Sequence, residues 1–71
     1  SLTRDKYLRY VVAVQPIMPG DIFSHSNLGI KRSAVGISGV EPKFYEDIIG
    51  CTSLANIKVD QLIQFIDVED A

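Results

Sequence analysis

A chain of 71 residues with 46% hydrophobic content makes one small domain with its own core and is too apolar for a disordered tail. A formal net charge of −2 lends no support to nucleic-acid binding, and no apolar run approaches the roughly 20 residues that span a bilayer. The single cysteine, Cys51, excludes an internal disulfide and a cysteine-rich metal site, so a cytoplasmic setting is the expectation.

Residues 1–6 are polar and read as a linker end or an expression remnant, which leaves 7–70 as the domain. Tyr7 to Val14 is rich in Tyr and Val and predicts a strand, clearest over Tyr10–Val14. Pro16 stops it, because proline has no N–H for the ladder. Met18-Pro19-Gly20-Asp21 suits a type II turn, with Pro19 presetting φ and Gly20 free to take a positive one. Ile22-Phe23 resumes an extended pairing, and Ser24 is placed to cap one short helical turn running to Leu28. Ile30-Lys31-Arg32 predicts a brief strand, and Ser33 to Gly39, with two glycines and two serines, an exposed loop.

Pro42 to Ile49 predicts a helix. Proline suits its first turn, Phe44, Ile48 and Ile49 share a face, and Gly50 ends it. Lys43 and Asp47, four apart, are expected to form an ordinary exposed pair. Cys51 to Leu54 follows as a strand, with Cys51 a small buried hydrophobe. Lys58 to Gln61 is a second turn, Leu62-Ile63 pairs back, and Gln64 to Val68 repeats a short helical turn.

Two stretches match at an offset of 40. Val12 to Ile22 lies over Thr52 to Leu62, with Ile17 on Ile57, Ile22 on Leu62, Asn27 on Asp67 and Leu28 on Val68. Asp60 falls where the first copy has Gly20, and Asp tolerates a left-handed conformation better than most residues. The repeat predicts one supersecondary unit used twice about a pseudo-two-fold axis, in a mostly-β domain with one-turn helices. Individuality then falls between the copies, from Gly29 to Gly50.

The order R-x-V-V-A, I-x-x-G-D, N-L, K-R, G-I, [FY]-x-x-I-I-G and D-V-E resembles the SAF, or antifreeze-like, domain at the C-terminus of sialic acid synthases. The residues that carry it include Arg9, Val11, Val12, Ala13, Ile17, Gly20, Asp21, Asn27, Leu28, Lys31, Arg32, Gly36, Ile37, Tyr45, Ile48, Ile49, Gly50, Ile57, Asp67 and Glu69. The resemblance implies a β-clip fold like that of type III antifreeze proteins. It also implies a missing TIM-barrel domain that condenses phosphoenolpyruvate with an N-acylated amino sugar, giving a nonulosonic acid and phosphate. The divalent metal of that family sits in the barrel, and no cofactor is implied for this domain. The small domain covers the partner's active site across a homodimer, and an arginine of its K-R stretch, here Arg32, reaches the sugar. Ser33-Ala34, Asp60 and Cys51 depart from the Pro-Gly, glycine and lysine common in the family at those places.

Arg32 carries a permanent charge and five donors in a fixed fork, which suits an acyl oxygen, a hydroxyl or a phosphate. Its expected role is substrate positioning rather than acid–base chemistry, and Gly36 and Ile37 join it as candidate substrate-binding residues on the loop tip. In an extended strand Lys31 points to the opposite face and is read as solvated. His25, beside two serines, is read as a turn residue. With no constellation of acid, base and metal ligands, the fragment alone is expected to be inert. Two other functions compete. A free-standing ice-binding protein would use Gln15 and Thr52, but Asp21 holds water strongly, and Gly20 and Phe23 do not suit a flat face. A SAF module of pilus or flagellar assembly would be secreted, and no signal sequence opens this chain.

Overall fold

The computed structural model describes residues 7–34 and 38–69. Strand β1, Tyr7–Ala13, pairs antiparallel with β2, Leu28–Ala34, in a register that sets Val11 opposite Ile30 and Arg9 opposite Arg32. A 3-10 turn, Pro42–Phe44, leads into α1, Tyr45–Ile48. Strand β3, Thr52–Ser53, pairs antiparallel with β4, Val68–Glu69, which follows a second 3-10 turn, Phe65–Asp67.

The pairing is longer than the sequence suggests at β2 and shorter in the second half. The expected brief strand Ile30–Arg32 extends to Leu28–Ala34, so Ser33 and Ala34 belong to it and not to the loop. The ladder with β1 supplies the reason, because all seven residues of each strand find partners. Residues 35–37 of the predicted loop lie outside the described residues, and Ser38 and Gly39 carry no helix or strand, as expected of a loop. The predicted helix Pro42–Ile49 is broken at Phe44, whose φ/ψ of −99°/3° is not helical. That break also removes the expected Lys43–Asp47 pair. A 3-10 turn advances three residues per turn, so the two side chains do not stack on one α-helical face. Lys43 sits instead 3.7 Å from the Glu41 carboxylate and 5.3 Å over the Phe44 ring.

Backbone hydrogen bonds recur at the 40-residue offset. Ile17 and Ile57 exchange both of theirs, at 2.9 and 2.7 Å. Gly20 N–H donates to Ser53 O as Asp60 N–H donates to Ala13 O, and Phe23 N–H donates to Cys51 O as Ile63 N–H donates to Val11 O. The two turns close alike: Asp21 N–H donates to Met18 O and Gln61 N–H to Lys58 O, both at 3.0 Å. In return, Met18 N–H donates to the Asp21 carboxylate and Lys58 N–H to the Gln61 amide oxygen. Both turns need a left-handed residue, and Gly20 (φ 97°) and Asp60 (φ 70°) supply it. Ser24 does not cap with its hydroxyl, which lies 2.9 Å from that of Ser26. Its backbone N–H donates to Asn27 Oδ1 instead.

Ile17, Ile57, Val11, Val40, Phe23 and Ile63 are fully buried and form the centre of the core, with Ala13, Leu28, Ile48 and Cys51 around them. Apolar burial of this kind is the main stabilising term in so small a domain. Cys51 is inside as expected, its thiol directed at Asp47 O. Phe23 is a core residue, so it forms no part of any surface face.

Candidate functional site

β1 is held on both edges over Val11 to Ala13. On one side lies β2. On the other, Val11 N–H donates to Val40 O at 2.9 Å, Val11 O accepts from Ile63 N–H at 3.0 Å, and Ala13 N–H donates to Gln61 O at 3.1 Å. Val40 N–H donates to Ile63 O, and the Gln64 amide donates to Ser38 O at 2.8 Å. The chain therefore leaves β2 at Ala34 and is fastened again by Ser38 beside the same edge of β1.

Arg32 is exposed. Lys31, one residue earlier, points to the other face and pairs with the Asp60 carboxylate on the second turn. The expected division of these two cations is thus observed, and Lys31 has a protein partner as well as solvent. Gly36 and Ile37, the other candidate substrate contacts, lie outside the described residues. The structure adds a residue that the sequence reading placed only in a motif. Arg9, also exposed, stands directly opposite Arg32 in the ladder. Among the described residues neither guanidinium has a carboxylate within salt-bridge distance. The signal for this pairing was the strand register. The 14 residues from Val14 to Asn27 separate the strands, so no tight turn fixes that register from sequence.

The remaining polar side chains hold structure together. His25 Nε2 lies 3.2 Å from both carboxylate oxygens of Glu46, and its ring tilts against Tyr45 at 5.7 Å. The Tyr45 hydroxyl in turn donates to Leu28 O at 3.3 Å. These contacts moor the 25–27 turn to α1, the structural part expected of a turn histidine. Ser53 is buried, and its hydroxyl both donates to Ala55 O and accepts from Ala55 N–H. Among the described residues no three His, Cys, Asp or Glu side chains converge where a metal ion could sit, and no helix is long and apolar enough to cross a membrane. The site that these residues make is a permanently charged, donor-rich ribbon end, suited to binding and positioning rather than to proton transfer.

A short β-ribbon packed on two mutually hydrogen-bonded turns is the architecture of antifreeze-like domains, and the comparisons agree. The SAF domain family matches residues 9–69, and the chain belongs to that family. It is similar to the N,N'-diacetyllegionaminic acid synthase of Campylobacter jejuni, with 43% identity over 54 residues. That match covers 76% of this chain but 15% of that enzyme, so the chain spans a small part of the relative's length. A solved spore coat polysaccharide biosynthesis protein of Bacillus subtilis superposes with a TM-score of 0.80 at 27% identity, over 93% of this chain and 19% of that one. The antifreeze protein like domain in human N-acetylneuraminic acid phosphate synthase gives 0.77 at 24% identity, over 87% of this chain and 76% of that one. The flagellar protein FlgA of Thermotoga maritima gives 0.77 at 21%, over 92% and 26%. The last two likenesses show the fold alone.

Proposed function

We propose that this chain is the substrate-capping domain of a nonulosonic acid synthase, a transferase that condenses phosphoenolpyruvate with an N-acylated amino sugar. The reading is supported above all by Arg32, exposed at the end of a ribbon whose other end is locked into the core. Identity of 43% to a legionaminic acid synthase over 54 residues supports this enzyme class. In this reading the domain lies across a homodimer over the mouth of a TIM barrel in the cytoplasm. Arg32 donates hydrogen bonds to the amino sugar, and Gly36 and Ile37 close the pocket from the loop. Bond making, and the divalent metal that assists it, belong to the barrel. This chain's own contribution is to orient the sugar and exclude water.

The test uses the full-length enzyme. A charged hydrogen bond at a desolvated site is worth about 1.5–3 kcal/mol, or roughly 10- to 150-fold. Arg32→Ala is expected to lower kcat/KM for the amino sugar by that factor while leaving KM for phosphoenolpyruvate within about twofold. Wild-type kinetics in the variant would refute the assignment.

A further inference from the structure

We infer that Arg9 and Arg32 together form an oxyanion site for a phosphate group on the ribbon end. The inference goes beyond the capping role and does not depend on it, because both side chains belong to this chain. Val11 turns its N–H to Val40 and its C=O to Ile63, away from β2. Ala13 does the same, giving its N–H to Gln61 and its C=O to Asp60. In an antiparallel ladder the two kinds of pair alternate, so Val11–Ile30 is a non-hydrogen-bonded pair and Arg9–Arg32, two residues on, is another. Side chains of such a pair share a face with Cβ atoms about 4.5–5.5 Å apart. Two guanidinium groups are therefore rooted as close together as cross-strand neighbours can be.

Like charges directly opposite one another are destabilising. Guanidinium groups keep their charge, so an anion held between the two forks relieves the repulsion directly. The neighbouring cation does not relieve it, since Lys31 lies on the opposite face against Asp60. Behind the pair, the same face continues as Val11, fully buried, and Ile30, 39% exposed. A phosphate group, with three or more acceptor oxygens and up to two charges, can accept from both forks at once. A monocarboxylate, with two oxygens and one charge, balances the pair less completely.

Titration of the 71-residue chain with inorganic phosphate, followed by NMR at the arginine Nε–Hε resonances, tests this. Acetate at matched ionic strength is the comparison. Phosphate is expected to shift Arg9 and Arg32 along a single isotherm, with at least fivefold higher affinity than acetate. Arg9→Gln and Arg32→Gln should each weaken phosphate binding at least fivefold. In buffer free of multivalent anions Arg9→Gln should melt above wild type, and added phosphate should narrow the gap. Independent isotherms, equal affinity for acetate, or unchanged phosphate binding in either variant would overturn the site. So would a lower melting temperature of Arg9→Gln, because it would mean that a carboxylate of the chain already fills the pair. Failure of the Arg32→Ala kinetics with phosphate binding intact would remove the capping role and leave this site standing.

Discussion

Gly39 is where a single methyl group should do most damage for its size. A Cβ built there would lie 2.7 Å from the carbonyl oxygen of Ile63, with Leu62 Cβ at 3.2 Å and Gln64 Nε2 at 3.4 Å. The near atom is backbone, and it already accepts from Val40 N–H at 2.9 Å. It cannot retreat without opening the seam from Val40 through Ile63 to Val11. Gly29 is the internal control. Its Cβ would meet Val14 Cγ1 at 2.9 Å, the tip of a side chain 38% exposed, which can rotate away. Both glycine-to-alanine changes gain the same unfolded-state term of about 0.4–1 kcal/mol, so their difference isolates the clash. Overpacking against an unyielding neighbour costs about 1–3 kcal/mol. Gly39→Ala should accordingly be less stable than Gly29→Ala by that amount, at about 4–8 °C of melting temperature per kcal/mol in a domain of this size. The chain has no tryptophan, so urea unfolding followed by far-ultraviolet circular dichroism is the suitable assay. Equal stabilities, or Gly29→Ala being the weaker, would refute the packing argument.

Asp60, at φ 70°, should tolerate glycine and resist alanine. Alanine meets a left-handed penalty of about 1–2 kcal/mol, while either change loses the exposed pair with Lys31, worth roughly 0.2–1 kcal/mol. Urea midpoints should therefore rank Asp60→Gly above Asp60→Ala, and the reverse order would disprove the strain. Ser53→Ala should lose about 1–3 kcal/mol, because the buried hydroxyl serves both Ala55 N–H and Ala55 O. A midpoint within error of wild type would show that those groups find other partners.

Much of the fold could be read because turns and breaks depend on single residues. Gly20 and Asp60 supply the two left-handed positions at the turn places that the 40-residue match aligns. What escaped depends on contacts distant in sequence. The length of β2 follows from its ladder with β1, and Phe44 leaves the helical region although the local pattern favours one continuous helix. For the candidate site, Arg32 was legible from its motif and the opposed faces of Lys31 and Arg32 from the two-residue period of a strand. The facing of Arg9 and Arg32 was not, because a register across a 14-residue connection is fixed only by packing.

That same packing explains why a residue on this ribbon can position a ligand at all. From Val11 to Ala13, β1 is bonded on one edge to β2 and on the other to Val40, Asp60, Gln61 and Ile63, and its side chains are buried. At Arg9, among the described residues, only the β2 edge remains. Among the described residues the second edge is thus engaged at Val11 and not at Arg9, two residues or about 7 Å of strand away. Side chains carried on a strand are placed more accurately than side chains on a loop, and the nearby clamp keeps that accuracy out to the exposed end. A surface arginine on an unanchored loop would spend binding energy on ordering its backbone as well as its side chain, whereas here the ladder fixes the backbone before any ligand arrives.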